Sequence, residues 1–511
     1  MGPSISARAA DFFHGAVDAV SEGGGWVRPV RFVPAQLRAL ESVRAWHPGL
    51  YKQMASCTSG VTLEFATDAT RVLIEVRMDD FPRGSAAVLA DVERHAGAPS
   101  GPHDGVSADV DGRHLPLVLP DEGNLVELYL EDPDAAPEQG LVRLPGMGVP
   151  HAVRVWLPCL APCAVREIVA DGTYIEPVAP REQLLVIGDS IAQGFVVKDP
   201  GLSWPARLAS HLNLELVNQG VGGQVFQPGS LAGLAPYVRP AAIVVELGEN
   251  YRYEPCSASR TEREVRAFLY EVSETWPEVP TWVLTCPAHT EDVYPTHQRS
   301  CISAVDAMIR SAAAPHSQMR VVEATALLDD ELLPELLADG SDHPGPEGQR
   351  MMAERLAFVV DATREAPELR RARALELARR EGTAALPVAK CLREGAGEVL
   401  VADKGVVVVQ LPSGARIVMG PSRSAVRRAL TCLGPGAGAT LVCGGRSLAR
   451  EVARSTGGHA RSCHNAAEIL SLMGDAEASR SEERPGDAEA QALEWAPGLE
   501  TLPASQFWVV A

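Results

Sequence analysis

From about residue 26 to residue 178 apolar and polar positions alternate with a period of two. Val61, Leu63 and Phe65 are separated by polar residues, and Val72, Ile74 and Val76 resume the alternation after a turn at Asp68. Asp111-Gly112 lies between SADV and HLPLVL, a dipeptide suited to a two-residue hairpin. NLVELYL and HAVRVWLP continue the pattern, and no long helical period interrupts it. Many short strands with regular turns predict an all-β sandwich, jelly-roll-like, over residues 1–178. A short amphipathic helix is expected around residues 6–20, before the run Gly23 to Gly25.

The pattern changes at residue 182. LLVIGDS is a continuous apolar run ending in a turn, as a buried parallel strand would be. Strands follow at LELVNQG, AAIVVELGEN, TWVLTCP and MRVVEAT. Helical periods lie between and after them at WPARLASHL, TEREVRAFLYEVSETW, SCISAVDAMIRSAAA and EGQRMMAERLAFVVDAT. This alternation predicts a three-layer α/β domain, flavodoxin-like, over residues 182–364, with a parallel sheet covered on both faces. Residues 365–380 read as a charged helical connector. Residues 381–511 read as an α+β module, with strands at GEVLVAD, GVVVVQL, ARIVMG and ATLVCG and helices at SAVRRALTCL and SLAREVARS. The polar segment GDAEASRSEERPGDAEAQ is expected to be a mobile loop.

Composition narrows the function classes. The 511 residues suggest roughly three domains. Hydrophobic residues at 46% and charged residues at 22% fit an ordinary globular chain. A net charge of −20 argues against nucleic-acid binding, which needs a positive surface to displace counterions from phosphates. No apolar run reaches the eighteen or so residues of a membrane span, and MGPSISARAADFFHGAV has no apolar core of a secretory signal. Ten scattered cysteines read as reduced, mostly buried thiols. The expected location is therefore the cytoplasm, with no membrane or nucleic-acid partner.

The candidate chemistry lies in four short blocks of the middle domain. Gly188-Asp189-Ser190 follows a buried strand and precedes a helix, at the strand end where open α/β sheets bind ligands. Asn218-Gln219-Gly220-Val221-Gly222-Gly223 and Gly248-Glu249-Asn250 each follow a further strand. Asp339-Gly340-Ser341-Asp342-His343-Pro344 precedes the last helix. A serine hydroxyl becomes nucleophilic only when a base takes its proton, and His343 is the candidate base for Ser190. Attack on an ester carbonyl also requires preorganised donors for the oxyanion.

In these four blocks, over roughly residues 182–362, the chain resembles the SGNH (GDSL) hydrolase family. The family's named residues fall on Ser190, Gly223, Asn250 and His343. The resemblance implies an esterase or acyltransferase working through a Ser190 acyl-enzyme on a small or medium O-acyl substrate. It implies oxyanion donors at the Ser190 and Gly223 backbone N–H groups and the Asn250 side-chain amide. No metal or organic cofactor is implied. The partner is a small-molecule ester, with an alcohol as acceptor if the reaction is transfer, as in some natural-product relatives that carry an N-terminal sandwich. A non-catalytic binding or assembly role on the same scaffold is the third reading.

Two positions depart from the family pattern. Tyr251 stands where an aspartate commonly follows the asparagine, and Gly340 stands where the acid usually precedes the histidine by three. Asp339, four residues before His343, is the favoured orienter. Asp342 is the contender, hampered because adjacent side chains tend to diverge, and a Ser–His dyad is the remaining option. His289 reads as a structural histidine, and Cys159 and Cys163 as packed thiols. Cys443, His459, Cys463 and His464 fit no standard zinc spacing, and Gly434 to Gly438 reads as a turn because no Lys-Ser/Thr follows. The C-terminal module faintly resembles half of a GNAT acetyltransferase, but Arg454-Ser-Thr-Gly457-Gly458-His459 fails that family's acyl-CoA loop at its last position.

Overall fold

The computed structural model describes residues 4–42, 49–97, 101–131, 149–252, 257–290 and 299–364, then 371–372, 374–375, 398–403, 406–410, 416–419, 440–443, 460–463 and 507–510. Two compact units result, Met1–Glu354 and Arg355–Ala511.

The N-terminal part of the first unit holds two antiparallel sheets. One runs β3 (Asp18–Gly23), β4 (Trp26–Val30), β11 (Cys163–Ala170), β6 (Arg71–Met78), β9 (Leu125–Tyr129), with β1 (Ile5–Arg8) also paired to β11. The other runs β12 (Ile175–Pro177), β5 (Thr62–Thr67), β10 (His151–Trp156), β7 (Val106–Val110), β8 (Arg113–Val118), with β2 (Phe13–His14) on β5. The period-two residues do what their spacing predicts: Val72, Ile74 and Val76 from one sheet and Leu63 and Phe65 from the other share a single apolar cluster. Asp111 and Gly112 form the β7–β8 turn, both at positive φ (51° and 83°), as a primed hairpin turn requires.

Two expectations for this region fail. Residues 6–20 are not a helix: β1, one 3-10 turn (Ala9–Phe12), β2 and the start of β3 occupy them, because Ala9 and Phe12 bury into the inter-sheet cluster. Three helices also interrupt the strands, namely α1 (Pro34–Ser42), α2 (Leu50–Ala55) and α3 (Arg83–Ala96). The buried positions of α3 are Ser85, Leu89 and Val92, spaced four and three apart. Their helical period is faint in sequence because serine and alanine give little apolar contrast.

The central sheet is parallel throughout, ordered β14 (Glu215–Gly220), β13 (Gln183–Gly188), β15 (Pro240–Glu246), β16 (Thr281–Leu284), β17 (Met319–Val322). With it come α4 (Ser190–Gln193), α5 (Trp204–Leu212), α6 (Ala258–Thr275), α7 (Arg299–Ala313), α8 (Leu333–Leu336) and α9 (Pro346–Arg364). Val265, Phe268 and Leu269 of α6 and Val305 and Ile309 of α7 pack with Ile243 and Val245 of the sheet. The α/β architecture expected from the sequence is present. Chain order reverses at β13, whose two neighbours are β14 and β15, so a crevice opens at its carboxyl end.

The antiparallel sheets and the parallel sheet meet closely. Gly60 has φ +76°, and a Cβ there would lie 2.6 Å from Asn218 Cβ. Arg31, fully buried, donates to four backbone carbonyls: Cys57 (2.6 Å), Asn218 (2.8 Å), Gly220 (3.0 Å) and Met54 (3.2 Å). Burial lowers its pKa to about 10, which still leaves it charged at neutral pH. Replacing Arg31 by Met strands these acceptors, and the expected loss of stability is at least about 3 kcal/mol, read by chemical denaturation. A loss under about 1 kcal/mol would show that the clamp contributes little.

Among its described residues the second unit contains one mixed sheet, ordered β18 (Glu398–Asp403), β19 (Val406–Gln410), β20 (Arg416–Met419), β23 (Phe507–Val510), β21 (Thr440–Cys443), β22 (Ala460–Cys463). All four strands expected there are present, and β22 and β23 are additional. Of the connector, residues 371–372 and 374–375 are described and are helical. The two expected helices, the polar segment, Gly434 to Gly438, Arg454 to His459 and His464 lie outside the described residues.

Candidate active site

Gly188 ends β13 and Ser190 begins α4, so the serine stands at the crevice with Asp189 as helix cap. Asp189 Oδ1 accepts the Ile191 N–H at 2.9 Å. Ser190 Oγ lies 2.9 Å from His343 Nε2, across 153 residues of sequence. The loop before α9 then turns on Asp339, whose Oδ1 accepts the backbone N–H groups of Ser341 (2.9 Å), Asp342 (3.2 Å) and His343 (3.2 Å). Its other oxygen, Oδ2, lies 2.6 Å from His343 Nδ1. A carboxylate on Nδ1 places the proton there and leaves Nε2 free to accept from the serine hydroxyl.

Asp342 departs from expectation. Its side chain does not diverge from its neighbour's: Oδ1 lies 2.9 Å from His343 Nδ1 while also accepting from Ser341 Oγ at 2.7 Å. The tight turn around Asp339 swings both carboxylates onto one ring nitrogen. Burial alone would lower the His343 pKa, but the two carboxylates outweigh it and hold it well above the ordinary histidine value. Phe195 stacks on the imidazole, with ring centroids 5.7 Å apart.

Gly223 sits at φ +83°, in the left-handed region open to glycine. Its carbonyl accepts from Tyr51 Oη of α2 at 2.9 Å, and the Gly222 N–H donates to Gln193 Oε1 at 2.8 Å. Asn250 lies in the 3-10 turn Glu249–Arg252 just after β15. Its Nδ2 donates to Asp189 Oδ2 at 2.8 Å and, at a longer 3.2 Å, to the Gln224 carbonyl. An incoming oxyanion would compete with that longer contact. Tyr251 is buried and turns its hydroxyl to Glu264 Oε2, 3.1 Å away. His289 lies 3.4 Å from Glu249 Oε1, consistent with a structural histidine.

Residues 186–351 match the model of the GDSL-like lipase/acylhydrolase family. This segment is a GDSL-like domain. The protein is accordingly an enzyme with a GDSL-like lipase/acylhydrolase domain. Among solved structures it is similar to the salicylyl-acyltransferase SsfX3 from a tetracycline biosynthetic pathway, with 18% identity, a TM-score of 0.53 and 69% of this chain and 95% of that one covered. It is also similar to a protein from Bacteroides ovatus described as a GDSL-like lipase (16% identity, TM-score 0.49, 69% and 96% covered). A third is a carbohydrate esterase family 2 enzyme of Myceliophthora fergusii (16% identity, TM-score 0.42, 59% and 93% covered). At such identities the likeness concerns the fold. No curated protein matches the chain.

The GDSL-like domain does not build its pocket alone. A cavity of about 510 Å³ opens over Ser190, Gly223, Asn250 and His343. Its other wall comes from the N-terminal region: Leu50 and Met54 of α2 and Ala87 and Val88 of α3, together with Phe195 of the domain itself. Sequence reasoning missed this wall, since α2 and α3 were not expected. It also missed Tyr51 and Phe195, whose partners are distant in sequence. Glu246 it could have found, as the one carboxylate inside the apolar run AAIVVEL. Among the described residues no helix is long and apolar enough to cross a membrane.

Proposed function

We propose that the protein is a serine-dependent carboxylic-ester hydrolase acting on a small or medium O-acyl substrate. The observation that carries this reading is the continuous chain Asp339–His343–Ser190 lining the cavity, with contacts of 2.6 and 2.9 Å. In the proposed cycle Ser190 Oγ attacks the ester carbonyl carbon while its proton passes to His343 Nε2. The Ser190 and Gly223 N–H groups and the Asn250 amide receive the oxyanion. Collapse of the tetrahedral intermediate breaks the bond to the alcohol oxygen, which leaves with the proton from His343. Water, deprotonated by His343, then attacks the acyl-enzyme, releasing the acid and restoring the serine.

A second reading is transfer of the acyl group to an alcohol, where the acceptor hydroxyl replaces that water and a new ester forms. The α2–α3 wall favours it, because the apolar side chains of Leu50, Met54, Ala87 and Val88 beside the acyl-enzyme disfavour water there. The similarity in fold to a salicylyl-acyltransferase, at 18% identity, supports the same reading.

The test is intact-mass analysis after a fluorophosphonate, followed by a panel of acyl esters with and without alcohol acceptors. One adduct and free acid as sole product support the hydrolase; a new ester at the expense of acid supports transfer. A folded protein that takes no adduct and turns over no ester leaves the scaffold reading instead.

A further inference from the structure

Behind the nucleophile turn lies a pair of carboxyl groups that the proposed cycle does not use. Glu246, the last residue of β15, is fully buried, as is Asp189. Glu246 Oε2 faces the backbone N–H groups of Ala192 (3.2 Å) and, more weakly, Asp189 (3.5 Å). The two carboxyl groups are also neighbours, near enough for a hydrogen bond between them. Such a contact requires one proton between them, because two carboxylates offer no donor. Partner counts say where that proton resides. Both oxygens of Asp189 accept good hydrogen bonds, from the Ile191 N–H (2.9 Å) and from Asn250 Nδ2 (2.8 Å), as an ionised carboxylate does. Glu246 Oε1 is buried with no donor directed at it, which suits a protonated hydroxyl.

We infer that Glu246 is a positioning residue: as a neutral acid it donates to the Asp189 carboxylate, which in turn holds the Asn250 amide where negative charge develops. The inference rests on the reading of Asn250 as an oxyanion donor. Burial, and then the neighbouring Asp189 charge, push the Glu246 pKa well above the usual carboxylate range. Asp189 is likewise raised, by burial and by the charge of Glu249, while His343 pulls it down and Asp342 raises it. The charged and titratable groups facing the pair are thus Glu249 on the turn after β15, and Asp342 and His343 on the loop before α9. The Cys286 thiol after β16 is also near the pair, and burial pushes it well above the ordinary thiol value. A buried carboxylic acid kept neutral so that it can donate is a known arrangement in oxyanion sites.

The test compares wild type, Glu246→Gln and Glu246→Leu on p-nitrophenyl acetate from about pH 6 to about pH 10, with Ser190→Ala as control. Glutamine keeps a donor toward Asp189 but has no proton to lose. Its kcat at neutral pH is expected within about threefold of wild type, and the alkaline decline of wild type should be absent or moved up by at least about one pH unit. Leucine removes the donor, and kcat should fall about tenfold or more with KM within about twofold. Superimposed alkaline limbs, or a leucine variant that turns over like wild type, would overturn the assignment. Should the leucine variant fail to fold, the glutamine profile decides alone. Infrared difference between wild type and Glu246→Gln supplies a readout independent of turnover: a protonated-carboxyl band in wild type is expected, and its absence overturns the inference. Ester turnover surviving in Ser190→Ala would instead defeat the nucleophile assignment and leave the infrared result standing.

Discussion

Substituting Ser190 by Ala is expected to lower kcat for ester turnover by at least about 10⁴-fold and to abolish the fluorophosphonate adduct. The magnitude follows from what is lost. Without the hydroxyl no acyl-enzyme forms, and only binding and the oxyanion donors remain to assist direct attack by water. KM is expected to change little, because Ser190 contributes a small part of a cavity wall otherwise built by Leu50, Met54, Val88 and Phe195. Thermal stability should also stay close to wild type: the helix cap at this turn is Asp189, and the serine Oγ contact here is with His343. A variant that retained a hundredth of wild-type kcat would place the nucleophile elsewhere.

The second large effect is expected at Asp339. Its Oδ1 gathers three backbone N–H groups and its Oδ2 takes the imidazole, so its position is fixed on both sides. Asp342 Oδ1, by contrast, divides its lone pairs between Ser341 Oγ and the ring. Asp339→Asn is therefore expected to lower kcat by about 10³- to 10⁴-fold, since an amide at this point favours the wrong imidazole tautomer. Asp342→Asn is expected to cost about tenfold. The same pair sets the acid limb of the pH profile. A protonated His343 cannot accept the serine proton, and its pKa is held up by the two carboxylates against the opposing effect of burial. Activity should thus fall as pH drops through a midpoint above the ordinary histidine value. In Asp339→Asn, with one charge removed, that midpoint should move down. The larger loss appearing in Asp342→Asn, or an unmoved midpoint in both variants, would reverse the assignment of the orienting acid.

The central architecture and the candidate nucleophile were legible in the chain itself because their signals are local. Five apolar runs alternating with helical periods specify a parallel sheet wherever they occur, and the glycine-bounded GDS at a strand end announces its turn. The hairpin at Asp111-Gly112 was legible for the same reason, since positive φ at two successive positions selects few residue types. The opening segment was not: β1 gains its partners from β11, more than 150 residues away, and four residues pair as readily as they coil until that neighbour arrives. Helix α3 was hidden by its weak apolar contrast, although its Ala87 and Val88 line the cavity.

What the sequence by itself determined is therefore the α/β alternation, the four blocks and the residue types the chemistry needs. Tertiary structure alone decided which carboxylates face His343, because a turn about Asp339 carries Asp342 to the same nitrogen. It alone joined Tyr51 to Gly223 and Asp189 to Asn250, and buried Glu246 behind the nucleophile turn. Each of these pairings depends on direction and burial in three dimensions. Spacing along a chain encodes neither once the partners lie on different strands and helices.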